Sequence, residues 1–174
     1  TSAGIPLVSV LDAAGGLPAE AEALLIGGLG GAFVPAEAAR ATAWSTAALR
    51  PLGATLGPGV VEVLDPRVCP LTVVEDLLRY AAGESAGQCG PCMFGLPALA
   101  ESWAALLARP SRATHEQVQA RLGLLPGRGA CHFPDGVARF AGSALRVFDA
   151  HLRAHMSGRC PQAGRRNQDA VAHA

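Results

Sequence analysis

Two thiols three residues apart, Cys89 and Cys92, enclose Gly90-Pro91, and this Cys-Gly-Pro-Cys turn limits the fold more than any other stretch. It aims two soft donors at one small volume while glycine and proline hold the tight backbone. A third thiol, Cys131, lies in Gly127-Arg128-Gly129-Ala130-Cys131-His132 and is the natural completion. Any fold for this chain then has to bring a second loop to the first. Thiolates in such a set suit zinc or an iron–sulfur cluster. A thioredoxin-like redox pair fits less well, because that motif opens a helix after a central strand and here an amphipathic helix precedes it. The bland reading is two reduced thiols in a turn and one buried cysteine acting as a small hydrophobe.

The hydrophobic pattern changes near residue 69. Residues 1–68 are punctuated by Gly and Pro and read as an α+β unit. Leu7, Val10, Leu11 and Ala14 fall at helical spacing before Gly15-Gly16, and Ala23-Leu24-Leu25-Ile26 is a short apolar run ended by Gly27-Gly28, the mark of a buried strand. Gly53 to Leu64 reads as a strand, a Gly57-Pro58-Gly59 turn and a second strand. The run Gly27-Gly28-Leu29-Gly30-Gly31 lacks both the Gly-x-Gly-x-x-Gly order and a P-loop Lys-Ser/Thr, so it reads as turns and close packing rather than a phosphate site.

Residues 69–160 read as four amphipathic helices forming a small bundle. Thr72 to Glu75 has the form of a capping box, with Val74, Leu77, Leu78 and Ala81 following on one face. A second helix is expected from Leu96 or Pro97 to Ala108, with Leu96, Leu99, Ala100, Trp103 and Leu107 on one face. A third starts at another Thr-x-x-Gln box at Thr114, and the last runs without interruption from about Pro134 to His155. The thiol turn falls between the first two helices and Cys131 at the start of the fourth, so both are helix-end loops that can meet at one end of the bundle. Residues 161–174 have no hydrophobic period and read as a flexible tail.

Charge is balanced, 14 basic against 14 acidic side chains, so no field gathers nucleic acid or an anionic membrane. Five cysteines are an odd number not spaced as a disulfide framework, which suits a reducing, cytoplasmic setting. The chain starts at Thr1 with no basic and apolar leader segments, as a processed chain or fragment would. No unbroken apolar run of about 18 residues is present, so no direct membrane insertion is expected.

The run Glu84-Ser85-Ala86-Gly87-Gln88-Cys89-Gly90-Pro91-Cys92 resembles the Glu-Ser-Cys-Gly-Lys-Cys-Thr-Pro-Cys-Arg-Glu-Gly signature of the NADH-binding flavoprotein subunit of NADH:quinone oxidoreductase (complex I) and of related diaphorase subunits. The resemblance implies a [4Fe–4S] cluster in a helical domain, with ligands at Cys89, Cys92 and Cys131. It places the family's first ligand at Ala86, whose methyl group cannot bind iron, and replaces the family's Arg-Glu by Met93-Phe94. The glycine pattern of residues 15–61 resembles the soluble-ligand-binding β-grasp domain that precedes the cluster domain in the same subunit. The implied architecture is α+β, a small β-grasp domain (1–68) followed by a four-helix iron–sulfur domain (69–160).

The fourth ligand stays open. His132 adjoins Cys131 and would make a Cys₃His zinc site. A helix unbroken to His155 carries Cys160 roughly 30 Å from Cys131, Cys69 sits at the far end of the helix that leads to the motif, and His151 and His155 show no ligand pairing. A [4Fe–4S] cluster with one non-cysteine ligand, a [3Fe–4S] cluster and zinc all fit three thiols. The function this implies is electron relay from a flavin held elsewhere to another cluster, in the company of other subunits of an NADH dehydrogenase- or diaphorase-type complex at the cytoplasmic face of a membrane. The family's FMN and NADH region has no counterpart here, so no hydride transfer is expected of this chain alone. The alternative is a non-redox scaffold with structural zinc or a vestigial cluster site.

Overall fold

The computed structural model describes residues 4–160 and 162, divided into two compact units at Pro66 and Arg67. The class is α+β. In the first unit a three-stranded antiparallel sheet has β1 (Ala23–Ile26) between β2 (Ala32–Pro35) and β3 (Val61–Val63). Leu24 faces Val34 on one side and Val63 on the other. All four β1 residues are buried, which is why this strand reads as a continuous apolar run rather than an alternation. Helices α1 (Leu7–Asp12), α2 (Ala36–Arg40) and α3 (Thr46–Leu49) complete the unit. Leu7, Leu24, Ile26, Val34 and Leu49 are fully buried in their common core.

The β1–β2 connection depends on two glycines. Gly27 has φ +88°, and at Gly31 a Cβ would run into the Ile26 carbonyl oxygen. Of the two strands expected in Gly53 to Leu64, the one before the Gly57-Pro58-Gly59 turn does not form. Gly57 lies against Gly27, where a Cβ would come within 3.1 Å of the Gly27 Cα. This segment crosses the glycine turn instead of lying along a ladder, and only Val61–Val63 pairs.

The second unit contains α4 (Pro70–Gly83), α5 (Leu96–Ala108), α6 (Arg112–Gly123), α7 (Phe133–Val147) and α8 (Asp149–Met156). Two expected caps lie elsewhere. Cys69 is the N-cap of α4 with Pro70 at the first helical position; Thr72 Oγ1 donates to the Cys69 carbonyl at 2.8 Å, and Glu75 pairs with Arg79 at 2.6 Å. At α6 the capping box is Ser111 with Thr114, each side chain bonded to the other's backbone N–H. Thr114 therefore closes that box, three residues after the cap, and does not open it.

The single helix expected from Pro134 to His155 is two. Phe148, buried at 1% exposure, leaves helical geometry at φ −101°, ψ 25° and serves α7 as its C-cap and α8 as its N-cap. The bend lets Leu152 bury, and α8 packs against α4. On α5 the last buried stripe position is Leu106, with Leu107 half-buried. The helical run Pro91–Ala108 is long and apolar enough, by length and composition, to cross a membrane. Its apolar face is used inside the unit instead: Leu96, Leu99, Trp103 and Leu106 are at most 1% exposed. The expected tail, residues 161–174, lies outside the described residues apart from Gln162.

Gly31→Ala should destabilise the first unit by about 3 kcal/mol, because backbone rather than a flexible side chain occupies the Cβ position. Gly30→Ala, with open space around it, should stay within about 0.5 kcal/mol of the parent. Urea denaturation of both variants measures the difference. In the second unit, Trp103 Nε1–H donates to the Leu71 carbonyl at 3.0 Å; Trp103→Phe should cost about 1–3 kcal/mol by the same assay through the lost buried donor and volume.

Candidate metal centre

The approach to Cys89 is set by the end of α4. Ser85 Oγ donates to the Ala82 carbonyl at 3.1 Å, Gly87 takes φ +63°, and Gln88 Nε2 donates to the Ala86 carbonyl at 3.0 Å. The chain then enters helix at Gly90 and makes a wide turn, Pro91–Gly95, in which the Leu96 N–H bonds to the Pro91 carbonyl five residues back. Such π-type turns insert an extra residue and change which side chains face inward. Here Cys92 is buried, while Met93 and Phe94 are 53% and 69% exposed.

The second loop is tied down independently. Asp135, in the first turn of α7, accepts from the Gly127 N–H at 2.9 Å and pairs with His132 Nδ1 at 3.1 Å. The His132 and Gly127 bonds hold the Asp135 carboxyl below its ordinary pKa. Gly129 permits the tight fold before Cys131, since a Cβ there would meet the Cys131 carbonyl oxygen at 2.7 Å. Gly95 lets Leu125 approach the π-type turn.

The two loops meet. Backbone hydrogen bonds from Ala130 and then from Cys92 lower the pKa of Cys89. Burial raises that of Cys92, followed by its side-chain bond to Cys89 and the nearby charges of Cys89 and Cys131, with Ser85 opposing. Cys89 and Cys92 are thus in contact, and Cys131 lies close enough for its charge to reach Cys92, with Cys131 exposed and Cys89 partly so. Three soft donors from two loops, with N–H groups directed at sulfur, are a chemistry suited to an iron–sulfur cluster. His132 is turned to Asp135, and Ala86 is exposed and has no donor atom. Beside the turn an apolar cleft of about 330 Å³ is lined by Pro91, Phe94, Ala98, Leu124 and Leu125, with Arg121 and Arg128 at its polar edge.

A second constellation was missed by the sequence reading. Cys69 Sγ lies 3.2 Å from His155 Nε2, and these two atoms and Cys160 Sγ all lie within 4.8 Å of one another. Two features make this meeting: the bend at Phe148, and a left-handed Gly158 that ends α8. The Gly158 N–H bonds to the His155 carbonyl and the Arg159 N–H to the Ala154 carbonyl, the paired bonds of a Schellman stop, which return the chain toward α4. Ser157-Gly158 after a helical stripe was the available signal. His155 therefore has partners after all. Burial pushes the Cys69 thiol up to about 11, opposed by the Thr72 and Leu71 amides, while burial and then the His151 charge lower the His155 pKa.

Residues 72–155 match the family described as the NADH-ubiquinone oxidoreductase-F iron-sulfur binding region. Among solved structures, the NAD+-reducing [NiFe]-hydrogenase in the air-oxidized state contains a similar chain, at 26% identity and TM-score 0.74 over 88% of this chain and 26% of that one. The H2-reduced state of such a hydrogenase matches at 24% identity and TM-score 0.72 over 93% of this chain and 27% of that one, which speaks to the fold alone. The chain thus spans about a quarter of the solved chains it matches. No curated protein matches it. The family match runs from α4 into α8 and so covers most of the helical unit.

Proposed function

We propose that Cys89, Cys92 and Cys131 hold an iron–sulfur cluster, [4Fe–4S] in type, and that the chain is an electron-transfer segment of an NADH dehydrogenase- or diaphorase-type complex. The observation that carries this reading is the hydrogen bond from the Ala130 backbone to the Cys89 sulfur, which joins two loops far apart in sequence inside the family's iron–sulfur region. When bound, the cluster supplies one-electron redox chemistry. The chain's own residues bind and surround it. The Ala130 and Cys92 amides favour a thiolate at Cys89, burial of Cys92 excludes water on one side, and Met93 and Phe94 form an apolar rim.

In this reading a flavin held on a region outside this chain is the electron donor and a further cluster is the acceptor. Other subunits of the complex are the partners, and hydride transfer belongs to the region that holds the flavin. The first unit is a soluble-ligand-binding β-grasp domain, supported by its small sheet and its glycine turn. A reducing compartment, the cytoplasm or the cytoplasmic face of a membrane complex, suits five unpaired thiols. The competing reading, a scaffold with zinc on the same three thiols, draws on Ala86, where the resemblance puts the first ligand.

Iron, acid-labile sulfide and zinc content of anaerobically prepared protein, with electron paramagnetic resonance before and after reduction, separates the two. About three or four irons per chain with matching sulfide are expected. Cys92→Ala should abolish them, and Ala86→Cys should raise cluster retention on exposure to air. Zinc without sulfide, lost in Cys92→Ala, would establish the scaffold reading instead.

A further inference from the structure

We infer that Cys69, His155 and Cys160 form a second metal site, for a single zinc-class divalent ion, which fastens the two ends of the helical unit together. It is separate from the thiol turn. Cys69 caps the start of α4, whereas Cys92 is reached through Ser85 beyond the end of α4. The 14 residues of that helix put about 21 Å between its ends.

The dimensions are those of one ion. Tetrahedral zinc with ordinary Zn–S and Zn–N bonds has S···S edges of about 3.8 Å and S···N edges of about 3.6 Å. The three donor atoms here lie within 4.8 Å of one another, and Cys69 Sγ is 3.2 Å from His155 Nε2. Small adjustments bring all three to one centre. Two sulfurs and an imidazole nitrogen are the donor set of a Cys₂His site, with a water in the fourth position. Gln162 Oε1 lies 4.0 Å from Cys160 Sγ.

The electrostatics agree. Binding displaces the thiol protons of Cys69 and Cys160 to solvent, and His155 binds through Nε2 as the neutral base. The divalent ion and two thiolates then cancel, so no net charge is left next to a fully buried Cys69. His155 is presented from the last turn of α8, and the Schellman stop holds Cys160 close to it. His151, one turn earlier, is packed edge-on against Phe148 at 6.2 Å between ring centroids, which leaves His155 as the imidazole of the set. The ligands bracket the unit in sequence, Cys69 before α4 and Cys160 after α8, so the ion would close a loop containing every helix between them.

The test uses the full chain, reduced, stripped with a chelator and titrated anaerobically with Zn²⁺ alone. Alkylation is followed cysteine by cysteine by mass spectrometry. Cys160, partly exposed at the end of the unit, is the reporter. Zinc should slow its labelling about tenfold or more, and one zinc per chain should persist in a Cys89→Ser, Cys92→Ser, Cys131→Ser variant. His155→Gln should weaken zinc protection of Cys160 by at least about 100-fold, since even outer-shell partners are worth 10–100-fold in affinity. Cys160→Ser, altered outside the helices, gives the same answer through zinc stoichiometry if His155→Gln misfolds. Labelling of Cys160 that ignores zinc, protection that survives His155→Gln, or a Cys69–Cys160 disulfide in the anaerobically isolated chain would each overturn the site. None of these outcomes depends on whether the other three thiols hold a cluster.

Discussion

The helical unit is organised by one buried hydrogen bond, from Trp103 in the second half of α5 to the Leu71 carbonyl in the first turn of α4. A residue late in one helix bonded to a residue early in the other makes the pair antiparallel and fixes its register. Trp103 is the largest fully buried side chain in the protein's described residues, so apolar burial and donor satisfaction act at the same point. With that register set, the loop between the helices is held at one end of the pair and Cys69 at the other. The thiol turn and the Cys69 cluster are thus positioned by the same contact while kept a helix length apart.

The cysteine turn was legible because everything that defines it is local. Cys89 and Cys92 are separated by the two residues that shape their turn, and Gly127 and Gly129 flag the loop that presents Cys131. The apolar stripes of α4, α5 and α7 were legible for the same reason, since periodicity survives within a single helix. The missed constellation depends on events that periodicity does not encode. A stripe running from Val137 through Phe148 to Leu152 looks continuous, yet the chain bends at Phe148 because burying that ring and Leu152 together outweighs one more helical turn. Gly158 then reverses the chain. Without those two corners Cys160 projects away; with them it returns to Cys69.

The misplaced caps carry a similar lesson. Thr72 and Thr114 both stand three residues before an acid or amide, but the residues ahead of them, Cys69-Pro70 and Ser111, were better places to start a helix. A threonine three residues into such a helix still finds a partner near the cap, which is why both hydroxyls bond backward, to Cys69 and Ser111. In the first unit, the sequence suggested a strand ahead of the Gly57-Pro58-Gly59 turn. The close approach of Gly57 to Gly27 decided otherwise, a backbone contact that depends on glycine at both positions and leaves no ladder partner.

The two sulfur groups also differ in what surrounds them, and this bears on what each can do. At Cys89 and Cys92 the neighbours are amides and an apolar rim: the Ala130 and Cys92 N–H groups on one side, exposed Met93 and Phe94 on the other. Hydrogen bonds to sulfur and local dryness are the levers by which a protein adjusts a cluster's potential. Met93 and Phe94 stand where the resembling signature has Arg-Glu, which makes this edge less polar. At Cys69 the environment is a helix N-terminus and the His155 imidazole, with Cys69 itself fully buried and Cys160 partly exposed. An ion held there gains nothing as an electron relay, and its effect is confined to joining α8 to α4.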